Sequence, residues 1–188
     1  MYTLKIISST TRPGRKGPII AKWIADVAMQ DPDWEIQVID LGELNLPMLD
    51  EPKQAMMGNY EHEHSRRWSA TIDEADAFIF VTAEYNYGYP APLKNALDFL
   101  YREWAYKPAA IVSYGGVSAG TRASTMLRPV LSALNMMPLS GGLPIPMMTQ
   151  FINEAGVFVP NEMTSRGAAR MFAELKKWTV ALKPMRSV

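Results

Sequence analysis

The stretch Thr82-Ala83-Glu84-Tyr85-Asn86-Tyr87-Gly88-Tyr89-Pro90-Ala91-Pro92-Leu93-Lys94-Asn95-Ala96-Leu97-Asp98-Phe99-Leu100 follows directly on the apolar run Ala77-Phe78-Ile79-Phe80-Val81. A run this short and this apolar reads as a buried strand, and the residues behind Pro92 return to helical spacing. Proline in the first turn of a helix lacks only an N–H that would have no partner there. A polar, tyrosine-rich loop therefore sits at the carboxyl end of a buried strand, just before a helix. In open α/β sheets that position is where ligands bind, because the crevice opens there and helix amino-termini point into it. Tyrosine supplies π-faces and a hydroxyl, asparagine reads amide-like edges, and glycine lets a backbone come close. The loop is suited to a planar aromatic ligand.

Working outward, strands are expected at Leu4–Ser8, Trp34–Leu41, Asp76–Thr82 and Ala109–Ser113, with fragments of a last strand at Met137–Leu139 and Ile145–Met148. Helices are expected at Ile19–Met29, Glu61–Ala75, Pro92–Arg102, Thr121–Leu134 and Asn161–Leu182. Gly42 to Tyr60 is a long connection, a length that in compact domains is often functional. Strict alternation of strand and helix means a parallel sheet covered on both faces. The expected fold is an α/β, flavodoxin-like three-layer sandwich with a five-stranded parallel sheet of order 2-1-3-4-5, as a single domain over residues 1–188. Its topological switch point lies between strands 1 and 3. The loops after those two strands are the most unusual segments of the chain.

Nineteen basic and nineteen acidic residues give a formal net charge of zero, so no polyanion or nucleic-acid partner is expected. The absence of cysteine excludes disulfides, thiol catalysis and cysteine metal sites. No apolar run approaches the roughly 20 residues that span a bilayer, and the first residues do not read as a signal peptide. A cytoplasmic protein without membrane contact is the expectation.

Three loops are brought to one sheet edge by that topology. The first, Ser9-Thr10-Thr11-Arg12-Pro13-Gly14-Arg15-Lys16-Gly17, combines hydroxyls, a helix start and three cations, which suits a phosphomonoester. It matches neither a Walker loop nor the dinucleotide fingerprint. A solvated basic turn has the same composition. The second loop carries Ala83, Glu84, Tyr85, Asn86 and Tyr87, where Glu84 reads as a helix-capping or backbone-binding carboxylate rather than a base. The third, Ser113-Tyr114-Gly115-Gly116-Val117-Ser118-Ala119-Gly120, has glycines that permit close backbone approach to a flat ring. A plain glycine turn explains the third loop alone, and tyrosine packing explains the second alone. Neither explains why all three share one edge.

Other chemistries lack their parts. His62 and His64 are two apart, so within a helix they point to different sides, and no ligand set completes a metal site. No G-x-S-x-G elbow occurs. An aromatic platform with a phosphate anchor and no catalytic side chain points to a cofactor that carries the chemistry.

These motifs resemble the NAD(P)H-dependent FMN reductase family, flavodoxin-like enzymes that include quinone, azo-dye and chromate reductases. The resemblance rests on Ser9-Thr10-Thr11-Arg12-Pro13-Gly14-Arg15, on Glu84-Tyr85-Asn86 with Leu93-Lys94-Asn95-Ala96-Leu97-Asp98, and on Ser113-Tyr114-Gly115-Gly116. It implies FMN, with NADPH or NADH as reductant and a small-molecule electron acceptor, in a ping-pong cycle without a catalytic side chain. It places the phosphate at Thr10, Arg12, Arg15, Lys16 and Gly17. The ring and ribityl chain fall beside Ala83, Glu84, Tyr85, Asn86, Tyr87, Ser113, Tyr114, Gly115 and Gly116. Ser9 stands where the family has glycine, and Ala83 where it has proline. The resemblance also implies a homo-oligomer, a dimer or tetramer. Trp104, Tyr106 and the methionines from Met126 to Met148 are the expected contact residues. A flavodoxin-like electron carrier and a non-catalytic FMN-binding sensor share the same residues, although true flavodoxins are strongly acidic.

Overall fold

A computed structural model describes residues 1–187 of the protein. The parallel strands β1 (Tyr2–Ser8), β2 (Trp34–Asp40), β3 (Ala77–Ala83) and β4 (Pro108–Tyr114) are joined by α1 (Gly17–Ala28), α2 (Leu41–Leu44), α3 (Glu63–Asp73) and α4 (Ala91–Asp98). Then follow α5 (Thr121–Ala133), the short strands β5 (Met137–Pro138) and β6 (Leu143–Ile145), and α6 (Glu162–Leu182). The sheet runs β2-β1-β3-β4-β5, with β6 also paired to β4. This is the flavodoxin-like order expected from the alternation.

Alternation along β3 divides the core in two. Ala77, Ile79, Val81 and Ala83 face the layer of α1 and α6, packed with Ile20, Ile24, Ala168 and Leu175. Phe78 and Phe80 face the layer of α3, α4 and α5, packed with Trp68, Leu97, Leu127 and Leu131. Every residue of β3 and β4 is buried, as expected for strands covered on both faces.

The fifth sheet position is filled by two pieces. β5 pairs Met137 and Pro138 with Pro108 and Ala109, while β6 pairs Leu143 to Ile145 with Val112 to Tyr114. Between them the chain passes so close to the sheet that a Cβ on Gly142 would lie 2.7 Å from the Ile111 carbonyl oxygen. The Arg128 guanidinium staples the break by donating to the carbonyls of Leu139 and Ser140. The second fragment thus begins at Leu143 and stops at Ile145, which frees Met147 to Thr149 for the sheet edge.

Trp104 is a further difference. α4 ends at Asp98, and Arg102–Trp104 forms a separate 3-10 turn. That turn drives the indole under the sheet, where it is 0% exposed and packs 5.0 Å from Phe78 and 6.1 Å from Trp68. Its N–H donates to the Leu97 carbonyl at 3.1 Å. Trp104 is core, and the expectation of a subunit contact there is overturned. His62 likewise precedes α3 as its N-cap instead of lying within it. Its ring therefore stacks on His64 at 5.2 Å, where a continuous helix would have separated them.

The long connection is tied down from both ends. The Asn95 side chain donates to the Pro47 carbonyl at 2.7 Å and accepts from the Leu49 N–H at 2.9 Å. The Glu51 carboxylate accepts from the N–H groups of Glu61 and His62, at the start of α3. Among the described residues no helix is long and apolar enough to cross a membrane.

At the amino edge of the sheet, Asp76 joins three segments. It accepts from the Thr3 N–H at 3.0 Å, from Lys183 at 2.8 Å and from Arg186 at 2.7 Å. Burial works against its charge, but Lys183, the Thr3 N–H and Arg186 outweigh it and hold the carboxyl below its ordinary range. A carboxylate with a depressed folded-state pKa contributes stability above its unfolded value of about 3.9 and loses it as pH falls through the folded one. Asp76→Asn is expected to lower the free energy of unfolding at pH 7 by about 1–3 kcal/mol. In urea titrations the gap to the unmodified protein should close below about pH 4.

Candidate functional site

A cleft of about 350 Å³ opens at the carboxyl edge of the sheet, over the ends of β1, β3, β4 and β6. That volume lies within the roughly 300–1,000 Å³ typical of small-molecule and cofactor sites. Its walls come from four loops.

The first loop leaves β1 with the Ser9 N–H still bonded to the Val81 carbonyl, and α1 begins at Gly17. Lys16, the N-cap, offers no side-chain cap; Pro18 has no N–H and the Ile19 N–H turns back to the Lys16 carbonyl at 3.2 Å, so the Gly17 N–H is the first-turn donor left for a ligand. A Cβ on Gly17 would lie 2.6 Å from Thr10 Oγ1, 2.7 Å from Ser8 Oγ and 3.0 Å from the Tyr114 hydroxyl. Three hydroxyls thus crowd beneath the start of the helix, in space that only glycine leaves open. Thr10 Oγ1 lies 3.3 Å from the Tyr114 hydroxyl. Burial pushes the Tyr114 hydroxyl up to about 12, so it remains a neutral hydrogen-bonding group.

Arg12, Gly14 and Lys16 line the cleft. Arg15 lines it as well, but its guanidinium is held by Asp40 at 2.7 Å, and Asp40 also accepts from the Gly42 N–H. Among the described residues Arg12 and Lys16 form no ion pair, so the uncompensated positive charge is theirs.

In the second loop Tyr85 and Gly88 exchange backbone hydrogen bonds at 2.8 and 3.0 Å around Asn86 and Tyr87. Both central residues have positive φ, 49° and 72°, the signature of a type I′ turn. Ala83 and Tyr85 line the cleft. Asn86 and Tyr87 sit at the tip of the turn, outside the cleft wall, and Tyr87 is 63% exposed beneath the Arg122 guanidinium at 3.9 Å from its ring centre. Glu84 accepts from the Arg122 N–H at 3.1 Å and from Arg122 Nε at 2.6 Å. Burial opposes its charge, but Arg122 and the neighbouring N–H groups prevail and hold the carboxyl below its ordinary range. Glu84 therefore supplies the acceptor that the Gly120 N-cap of α5 lacks, the capping role expected from its setting.

In the third loop Ser113 and Tyr114 are still strand residues, opposite Thr82 and Ala83. Ser113 is buried under the floor, whereas Tyr114, Gly115 and Gly116 reach the cleft. Thr10 and Gly17 lie beneath it in the same way. The fourth wall was not foreseen. Met147 and Met148 donate through their N–H groups to the carbonyls of Gly116 and Gly115, at 3.0 and 3.2 Å. With Thr149 they close the cleft on the β6 side. The usable signal was the end of the strand at Ile145, since every strand of a parallel sheet delivers its next residues to this edge.

With the geometry in place, likeness to known proteins is decisive. Residues 3–150 match the family of NADPH-dependent FMN reductases. The chain belongs to that family. An NAD(P)H-dependent FMN reductase of Schizosaccharomyces pombe is 44% identical over 133 residues, covering 70% of this chain and 66% of the relative. One from a Nectria species is 33% identical over 196 residues, covering 100% of this chain and 96% of the relative. Among solved structures, a flavoenzyme NAD(P)H:(acceptor) oxidoreductase of Paracoccus denitrificans superposes with a TM-score of 0.78. At 20% identity over 97% of this chain and 99% of that one, it shows a shared fold.

Gly17→Ala tests the hydroxyl cluster directly. The added methyl cannot be accommodated without moving Thr10 or Ser8. The variant is expected to lose about 1–3 kcal/mol of stability, read as a lower urea midpoint at unchanged slope.

Proposed function

We propose that the protein is an FMN-dependent NAD(P)H oxidoreductase that hands electrons to small-molecule acceptors, free flavin and quinones among them, in a ping-pong cycle. One observation carries this reading. A single cleft joins a cationic end, made by Arg12, Lys16 and the uncapped start of α1, to a flat end made by Tyr85, Tyr114 and Gly116. Among the described residues its only lining carboxylate, Glu84, is already committed to Arg122 and the start of α5.

The residues present fit FMN. Ser8 Oγ, one of the three hydroxyls under the start of α1, is buried without a hydrogen-bond partner. Such groups are costly unless something accepts from them, and a phosphomonoester has the oxygens to do so. Arg12 and Lys16 would add charge-assisted contacts. Tyr85 and Tyr114 would border the ring, while the carbonyls of Gly115 and Gly116 are held by Met147 and Met148. Bound there, FMN supplies reversible two-electron chemistry between NAD(P)H and the acceptor. The chain's own residues bind, orient and exclude water.

The same reading makes the chain a homo-oligomer, dimer or tetramer, with a second copy beside the exposed Tyr87, Val117 and Met126. Light scattering tests that part, and a monomer with full activity overturns it.

Removal of a charge-assisted contact costs about 1.5–3 kcal/mol, roughly ten- to a hundredfold in affinity. Arg12→Ala is expected to weaken FMN by that factor and to leave riboflavin, which has no phosphate, nearly unchanged. Equal weakening of both would remove Arg12 from the phosphate site. Double-reciprocal plots of NADPH against a quinone should be parallel, and failure to oxidise NADPH or NADH with any acceptor would refute the enzyme.

A further inference from the structure

The two methionines of the fourth wall have opposite fates. Met148 is 6% exposed and joins the core beneath α6, together with Ile145, Phe158 and Met171. Met147, one residue earlier, is 41% exposed and lines the cleft. Its N–H is fixed to the Gly116 carbonyl at 3.0 Å, so its position over the flat end of the cleft is set by the sheet.

Met147 also holds a backbone that methionine disfavours, with φ 45° and ψ 44°. Left-handed conformations of this kind suit glycine and, less well, asparagine. Strain retained on another residue is a reason to ask what its side chain does. The side chain here makes no polar contact, is unbranched and carries a polarizable sulfur suited to the face or edge of an aromatic ring. The same cleft is lined by Tyr85, itself 40% exposed.

Charge is confined to other parts of the cleft. Arg12, Lys16 and the paired Arg15 belong to the loop before α1, and Glu84 is satisfied by Arg122. Of the described residues that line the cleft, Met147 and Tyr85 offer an incoming acceptor exposed apolar and aromatic surface, and none offers a free carboxylate or imidazole. From this we infer that Met147 is a specificity-determining residue, which with Tyr85 favours flat apolar acceptors over small hydrophilic ones. The inference rests on the reading of the cleft as a flavin reductase site and deepens it by naming a residue that selects among acceptors.

Met147→Gly is the informative variant, because glycine removes the side chain and relieves the backbone together. Its urea midpoint should equal or exceed that of the unmodified chain. Assays of the FMN-loaded enzyme with NADPH would compare 2-methyl-1,4-naphthoquinone, a flat apolar acceptor, with ferricyanide, a small hydrophilic one. A sulfur–aromatic contact is worth about two- to tenfold in binding. The KM for the naphthoquinone should rise by that factor relative to the KM for ferricyanide, both measured on the same variant at saturating FMN. Met147→Leu, which keeps the apolar bulk and loses the sulfur, should fall between the two. An unchanged naphthoquinone KM in Met147→Gly, or an equal rise for ferricyanide, overturns the assignment while leaving the reductase reading intact. An unmodified enzyme that retains no FMN and oxidises no NADPH with either acceptor overturns both.

Discussion

The register of β4 against its two neighbours is the constraint on which the site depends. Tyr114 stands opposite Ala83 on one side and Ile145 on the other, while Ser8 stands opposite Val81. All four strands therefore end within a residue or two of the same level, and whatever follows them in sequence meets at one edge. A one-residue slip of any strand would turn its apolar set toward the wrong layer, because side chains alternate between the two cores. The burial that stabilises the sheet thus also fixes the positions of the four loops. No separate interaction is needed to collect them.

Within that edge, charge is distributed so that little of it is free. Arg15 is neutralised by Asp40, whose other oxygen caps α2, and Glu84 is neutralised by Arg122, whose guanidinium also covers Tyr87. Each pair ties a loop to a neighbouring element, Arg15 to the end of β2 and Glu84 to the first turn of α5, so it restrains geometry in addition to removing a charge from the cleft. What remains is a local excess of positive charge at Arg12 and Lys16 and an apolar surface elsewhere. A ligand with an anion at one end and a flat ring at the other matches that division without further adjustment.

The fold was legible because its signals were of long range in sequence. Alternating strand and helix patterns, and the unbroken apolar run at Ala77–Val81, leave little freedom in topology. The three glycine- and tyrosine-rich loops were legible for the same reason, since each follows a clear strand. The fourth wall was not, because β6 is three residues long, contains Pro144 and is separated from β5 by Ser140-Gly141-Gly142. Periodicity cannot fix a boundary in so short a segment, and an offset of three residues kept Met148 in the strand. Trp104 was misread by a related route. The helical spacing from Pro92 does not reveal that α4 stops at Asp98, and only the 3-10 turn that follows sends the indole inward. The stacking of His62 on His64 was hidden by the same uncertainty at the start of α3.

Backbone strain in this protein gathers where the loops converge. Among the described residues seven non-glycine residues have positive φ, and four of them, Asn86, Tyr87, Ala119 and Met147, lie in the loops that follow β3, β4 and β6. Each such residue costs roughly 1–2 kcal/mol relative to an ordinary conformation, so the edge is less stable by several kcal/mol than an idealised set of turns would be. The strands beneath carry no such outlier, and the β3 and β4 residues are buried throughout. The unfavourable term is borne by elements that the two cores hold in place and that cannot relax without breaking the hydrogen bonds between Tyr85 and Gly88 or between Met147 and Gly116. A loop held this way presents its side chains in one arrangement before any ligand arrives. Ordering entropy that binding would otherwise have to overcome is already spent in folding, which lets a small cleft hold a ligand in a defined orientation.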